Sequence, residues 1–142
     1  MFQVLNDPRL YEFMGGSPPL DVESLSVIYE SWEPRTSPDG SELWFNWTMR
    51  LRSTDELIGH VQAGVSPHHA ALAWIVGSSW QNQGYATEAA KAVQGLVLQL
   101  DVREIRASIN PAHAASIRVA ERLGLQPTAE RSGAERIWKQ RY

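Results

Sequence analysis

The chain of 142 residues contains no cysteine. Disulfide bonds, thiolate nucleophiles and cysteine-ligated metal sites are therefore excluded, and the absence fits a reducing compartment. No apolar run reaches the roughly 18 residues that a membrane-spanning helix needs, so no membrane span is expected. The first residues show no basic stretch followed by an apolar one. No secretory signal is recognised, and a cytoplasmic protein is the expectation.

Positive charge is also scarce, with 13 lysines and arginines against 16 acidic residues and a net charge of −3. Because binding to a phosphate backbone needs a basic surface, nucleic acid is not expected as the main partner. The histidines show no metal-ligand spacing, so no metal site is predicted; they are His60, His68, His69 and His113. Hydrophobic residues make up 43% of the chain, which favours a single packed domain over residues 1–142.

The spacing of apolar residues predicts a mixed α/β domain. The predicted elements are a helical end over 6–14, a helix from 21 to 32, strands over 43–51, 57–65 and 70–76, a helix over 85–100, a strand over 102–109, a helix over 112–123, and strands over 125–130 and 135–141. The second half contains crossover helices between strands, which is typical of a sheet with a parallel portion.

A polar loop over 81–87 follows a buried strand and precedes the longest predicted helix. Backbone N–H groups in the first turn of a helix have no intrahelical partner and can hold a pyrophosphate without any lysine. Gly84 and Ala86 are small enough for close approach, and Thr87 adds a hydroxyl donor. Taken alone, this pattern also fits an ordinary strand-to-helix turn.

A second strand-loop-helix unit strengthens the prediction of a ligand site. Asn110 ends the fourth strand, and Ser116 lies about one turn into the next helix. Two such units in succession bring both helix N-termini to one edge of the sheet. Ligands of open α/β sheets bind at that edge.

These two units carry a family resemblance. Residues 80–89, WQNQGYATEA, resemble the pyrophosphate loop of the GNAT superfamily of N-acetyltransferases, written (Gln/Arg)-x-x-Gly-x-(Gly/Ala). The segment from Asn110 to Ser116, with ERLGL at 121–125, resembles the branch of the ribosomal-protein N-terminal alanine acetyltransferases. The resemblance covers nearly the whole chain. It implies a GNAT-like acyl-CoA N-acyltransferase fold.

The resemblance implies direct attack by a primary amine, either a protein N-terminus or a small molecule, on the thioester of acetyl-CoA. The implied cofactor-binding residues are Ile75, Val76, Gln81, Gln83, Gly84, Tyr85, Ala86, Thr87, Asn110, His113, Ser116 and Arg118. The N–H of Val76 or Gly77 would stabilise the oxyanion. Ser116 matches the proton donor to the leaving thiolate, or it only stabilises its helix. His60 is a candidate base, although a lone strand histidine is more often simply packed.

The sequence departs from the family pattern at three places. The usual first strand is missing before the 6–14 segment, His113 stands where asparagine is common, and Ala71 stands where an acidic residue often lies. An uncovered sheet edge predicts pairing with a second copy, as a homodimer, or with a rearranged segment. The loss of the usual base leaves a noncatalytic acyl-CoA-binding or regulatory domain as the alternative.

Overall fold

The computed structural model describes residues 1–142. The helices are α1 (Phe2–Leu5), α2 (Val22–Glu30), α3 (Tyr85–Val97) and α4 (Ala114–Arg122), and the strands are β1 (Leu43–Arg50), β2 (Leu57–Val65), β3 (Ala70–Val76), β4 (Glu104–Ile109), β5 (Gln126–Ser132) and β6 (Glu135–Arg141). Short 3-10 turns lie at Pro8–Tyr11, Ser78–Trp80 and Leu98–Leu100. None of the helices has the length and apolar character needed to cross a membrane.

All six strands join one mixed sheet in the order β1-β2-β3-β4-β6-β5. Neighbours pair antiparallel except β3 and β4, which are parallel. The parallel pairing is confined to Ala70 with Ile105 and Ala71 with Arg106. Beyond these two pairs β3 and β4 separate toward their carboxyl ends, which leaves a gap in the middle of the sheet. The predicted mixed α/β fold is confirmed.

Helices α3 and α4 cover one face of the sheet and form the main core with it. Val93 and Val97 of α3 and Ala120 of α4 belong to one buried cluster with strand residues such as Ile105. In α3 the buried residues Ala90, Val93 and Val97 are three and four residues apart, which gives this helix a single apolar face. Gly124 ends α4 at φ +83°, and Leu125 N–H donates to the Ala120 carbonyl at 3.0 Å. This left-handed glycine cap turns the chain directly into β5.

The N-terminal segment differs most from the prediction of one helical end over 6–14. The helix α1 lies before that range and has Asn6 as its C-cap. Within the range only the 3-10 turn at Pro8–Tyr11 forms, and its N-cap Asp7 accepts a hydrogen bond of 3.0 Å from the Arg9 N–H. The predicted N-cap of the next helix is confirmed: Asp21 accepts a hydrogen bond of 2.7 Å from the Ser24 N–H. The helix predicted over 85–100 ends at Val97 and continues as a 3-10 turn.

No strand precedes β1 in the described chain, and β1 lies at one edge of the sheet. A loop segment runs back beside the start of this edge: Thr36 bridges to Leu43, and Trp44 N–H donates to the Arg35 carbonyl at 2.8 Å. A rearranged segment therefore covers the beginning of the edge. Pairing with a second copy remains a prediction.

Candidate functional site

A cleft of about 600 Å³ opens where β3 and β4 separate. Its walls are the end of β3, the loop and first turn of α3, the first two turns of α4, and the N-terminal segment around 9–14. Ten of the residues predicted to bind the cofactor line this cleft: Ile75, Val76, Gln81, Gly84, Tyr85, Ala86, Thr87, His113, Ser116 and Arg118. The volume lies within the range of roughly 300–1,000 Å³ that is typical of small-molecule and cofactor sites.

The strand side of the cleft offers unpaired backbone groups. Gly77 N–H donates to the Ile58 carbonyl at 2.8 Å, and Val76 lies opposite Gly59 in the β2–β3 ladder. Hydrogen-bonded pairs alternate along an antiparallel ladder, so the N–H groups of Val76 and Trp74 point away from β2 and into the gap. Ile75 instead pairs with β2. Of the two predicted oxyanion donors, only the Val76 N–H is therefore free.

The α3 loop presents its own set of free donors. Gly84 has φ +87°, and the first helical hydrogen bond runs from Glu88 N–H to the Gly84 carbonyl at 3.0 Å. The N–H groups of Tyr85, Ala86 and Thr87 therefore lack helical acceptors. No side chain caps this end of the helix. The left-handed conformation at Gly84 is the backbone feature that turns these donors toward the cleft.

Helix α4 begins in the same uncapped way beside the cleft. His113 occupies its N-cap position without a side-chain cap bond, and Ile117 N–H donates to the His113 carbonyl at 3.1 Å. The His113 ring stacks on Phe13, with ring centroids 4.9 Å apart and planes 20° apart. Burial lowers the pKa of the His113 imidazole, and the negative charge of Glu12 opposes that shift. Ser116 follows one turn later on the cleft wall.

Positive charge surrounds the cleft although the chain as a whole is acidic. Arg9, Arg118 and Arg122 line it, and Arg118 reaches Asn82 of the α3 loop at 3.5 Å. Two helix N-termini add the positive ends of their dipoles. The arrangement favours a phosphorylated ligand.

Three predicted site residues do not line the cleft. Asn110 uses its side-chain oxygen locally, accepting a hydrogen bond of 2.9 Å from the Ala112 N–H. The Gln83 carboxamide points back to the Ser79 carbonyl at 3.4 Å. His60 lies outside the cleft but directly opposite Ile75, which lines it. The side chains of Asn110 and Gln83, which the sequence assigns to the cofactor, instead form hydrogen bonds within their own turns.

His60 has an unusual environment. Burial lowers the pKa of its imidazole to about 4, so the ring is neutral at pH 7. Its Nδ1 atom is buried without a hydrogen-bond partner, and the edge of its ring meets Trp32 with centroids 6.1 Å apart. A neutral imidazole with a free nitrogen can accept a proton or hold a water molecule.

Several lining residues were absent from the sequence prediction. The most important are Arg9, Glu12, Phe13 and Trp74. The first three belong to a segment about 100 residues away from α4, which is held there by the stacking of Phe13 on His113 and by the burial of Leu10. A pattern within either segment gives no signal for such a contact. Trp74 could have been found from strand alternation, because residues 74 and 76 share one side of β3.

Residues 1–126 match the family model of the acetyltransferase (GNAT) domain. The chain belongs to the GNAT acetyltransferase family. The uncharacterized N-acetyltransferase YnaD of Bacillus subtilis is 32% identical over 79 residues, which are 54% of this GNAT chain and 46% of the relative. The match thus spans about half the length of that curated relative.

Solved structures show the same fold. A GNAT-family acetyltransferase from Bacillus anthracis has a TM-score of 0.76 at 18% identity, covering 99% of this chain and 86% of that one. Aminoglycoside acetyltransferase AAC(6′)-Ib, in complex with coenzyme A and kanamycin, gives 0.76 at 16% identity, with 99% and 86% covered. A putative ribosomal-protein-serine acetyltransferase from Vibrio cholerae gives 0.64 at 18%, with 84% and 72% covered. The predicted ribosomal branch therefore has support at the level of fold alone.

Proposed function

We propose that this GNAT protein transfers the acetyl group of acetyl-CoA to a primary amine. One observation carries the proposal: two uncapped helix N-termini and the unpaired side of β3 open onto the same cleft. The donors at Tyr85, Ala86 and Thr87 suit a pyrophosphate. The free backbone of Trp74 and Val76 suits the amides of a pantetheine arm, which would pair like a strand.

Acetyl-CoA supplies an activated acetyl group, and a neutral amine forms the C–N bond as the C–S bond breaks. The Val76 N–H is the donor for the oxygen that becomes negative during this exchange. Ser116 passes a proton to the departing thiolate and regains one from the nitrogen that has formed the new bond. No covalent enzyme intermediate is needed, but a further group must first take the proton of the incoming ammonium.

The acceptor amine must lose its proton, because the pKa of a lysine-type amine is about 10 and that of an α-amino group about 8. Ala71 cannot accept it. His60 is the proposed relay for this proton, through a water chain past Ile75, because its Nδ1 has no partner; with a pKa of about 4 its imidazole passes the proton on toward solvent and does not hold it. Small amines and protein N-termini both fit this scheme. The complex of AAC(6′)-Ib with kanamycin supports the small-amine class.

A noncatalytic acyl-CoA-binding domain is the second candidate. The absence of an acid at Ala71 and the position of His60 outside the cleft favour it. Both candidates require binding of coenzyme A, so binding alone does not separate them.

Turnover separates the two candidates. Thiol release from acetyl-CoA is measured with kanamycin, cadaverine and trialanine as amines, alongside the dissociation constant of coenzyme A. We expect tight binding and amine-dependent thiol release. Tight binding with no release on any amine would establish the noncatalytic alternative, and no binding at all would refute both.

A further inference from the structure

Glu12 is the only carboxylate among the residues that line the cleft. Arg118, Arg122 and two helix N-termini make the rest of the cleft suitable for phosphates. A carboxylate beside bound phosphates would oppose coenzyme A by charge repulsion. Its presence therefore points to a different task from holding the cofactor.

The Glu12 carboxylate is free to take a ligand. It forms no ion pair within 4.0 Å, although Arg9, three residues earlier, pairs with Asp7 at 2.8 Å. Its backbone is fixed, because Leu10 is buried and Phe13 stacks on His113. The side chain thus stands on an anchored segment and remains exposed.

Glu12 lies next to Phe13, which packs at the start of α4. Arg118, in the second turn of α4, reaches Asn82 of the α3 loop. His113, against which Phe13 packs, is five residues earlier, roughly 7 Å along the helix axis. Because Phe13, the next residue, stacks on His113 at the N-cap of α4, Glu12 lies near the beginning of that helix, which carries Ser116 in its first turn. The proposed chemistry involves Ser116.

We propose that Glu12 binds the positively charged amine acceptor at the Ser116 end of the cleft. This inference rests on the proposed function and adds the class of acceptor: an amine that arrives as a cation. An alkyl amine with a pKa of about 8 to 10 is protonated at neutral pH. A carboxylate pairs with such a group by a charge-assisted hydrogen bond. Glu12 recognises the cation, and the later loss of the proton belongs to another group.

The test is calorimetric titration of cadaverine, kanamycin and trialanine into the protein saturated with coenzyme A. Glu12→Gln removes the charge and keeps the shape. Glu88→Gln is the matched control, since Glu88 is exposed in the first turn of α3 and does not line the cleft. We expect Glu12→Gln to weaken amine binding about tenfold. The control should bind the amines as the wild type does.

Coenzyme A should bind both variants at least as tightly as the wild type, which excludes misfolding as the cause. Equal amine affinity in wild type and Glu12→Gln, or no amine binding to the loaded wild type, would overturn the inference. Thiol release with the same amines is followed in parallel. Amine binding that depends on Glu12 without any release would refute acetyl transfer but keep the amine site. Release with equal KM in all three proteins would refute the amine site alone.

Discussion

The carboxamide of Gln81 donates a hydrogen bond of 3.0 Å to the backbone carbonyl of Val76. The first residue of the loop motif thus ties the loop back to the end of the strand. Val76 and Trp74 present their free N–H groups at this strand end, and Gly84 begins the helix three residues after Gln81. The bond therefore couples the strand side of the cleft to its phosphate side.

Replacing Gln81 with alanine should weaken coenzyme A binding about fivefold, the value of one neutral hydrogen bond of about 1 kcal/mol. Calorimetric titration with coenzyme A measures it. Gln83→Ala is the control, because its carboxamide makes only a 3.4 Å contact with Ser79 and does not line the cleft. Equal losses in both variants would contradict a special role for the Gln81–Val76 bond.

Replacing Gly84 with valine should weaken coenzyme A binding by tenfold or more while the protein stays folded. A Cβ at Gly84 would meet nothing within 4 Å, so the cost is in the backbone alone. A β-branched residue at φ +87° is strained, and relief of that strain turns the donors of the first turn away from the cleft. Unchanged affinity in a folded variant would remove this loop from the site.

Gly95 gives the matched comparison for Gly84. Gly95 lies inside α3. A Cβ added at this position would also meet no atom within 4 Å, but the φ of Gly95 is not positive. Gly95→Ala should raise the free energy of unfolding by about 0.5–1 kcal/mol, because alanine favours the helix. Its coenzyme A affinity should not change. Chemical denaturation and titration on the same preparation measure both quantities.

The features that the sequence predicts correctly are those determined by residues close together in the chain. The sequence predicts β1, β2 and β3 to within one residue of their observed bounds, from alternation in β1 and from an almost continuous apolar run in β3. The α3 loop and the start of α4 follow from glycine, proline and helix periodicity in adjacent residues. For the same reason most of the predicted cofactor contacts line the observed cleft.

The errors come from contacts that no local pattern contains. The segment around Phe13 joins the cleft through tertiary contacts, among them its stacking on His113, 100 residues later. The unpaired side of β3 depends on how far β4 pairs with it, which a strand's own sequence does not specify. Asn110, which the sequence assigns to the cofactor, does not line the cleft, because its side chain accepts a hydrogen bond within its own turn.

Ser116→Ala distinguishes the two predicted roles of the Ser116 hydroxyl, which are to protonate the leaving thiolate or only to stabilise α4. If Ser116 protonates the thiolate, kcat should fall about 100-fold with little change in the KM for acetyl-CoA. If it only stabilises α4, the melting temperature should fall and kcat should not. Ser79→Ala is the control, since Ser79 is an exposed serine that does not line the cleft. Steady-state kinetics and thermal unfolding together decide between the two roles.

Glu104→Gln should lower the free energy of unfolding by about 1–3 kcal/mol. Glu104 is buried on β4. It forms ion pairs with Arg106, with Arg141 at 3.0 Å and with Lys139 at 3.7 Å. Burial raises the pKa of its carboxyl, but these cations more than offset that and hold it below the usual value. Removing the charge leaves the cations without their shared partner.

Asp101→Asn is the control for Glu104. Asp101 also pairs with an arginine, Arg103, at 2.8 Å, but both side chains are largely exposed. Asparagine tolerates the left-handed conformation found there, φ +60°. The change should alter the free energy of unfolding by less than about 1 kcal/mol. Urea denaturation of both variants checks the contrast, and similar losses would show that burial of Glu104 is unimportant.

His60 should make the protein less stable as the pH falls below neutral. Its folded pKa of about 4 lies below the ordinary value of 6.5, so between these values the unfolded chain binds more protons. The free energy of unfolding is unaffected well above pH 6.5 and falls as the pH drops from there toward 4. By about pH 5 the loss from this residue should be roughly 2 kcal/mol.

His60→Gln removes this titration and leaves every other group in place. Urea denaturation of wild type and variant at about pH 7.5 and about pH 5 measures the two slopes, and their difference isolates His60. The wild type should lose roughly 2 kcal/mol more than the variant over this interval. Parallel losses would mean that His60 is accessible to water and protonates freely. An imidazole of that kind would still be mostly neutral at about pH 7.5 and would be a stronger base than the buried one, so the proton could rest on His60 itself.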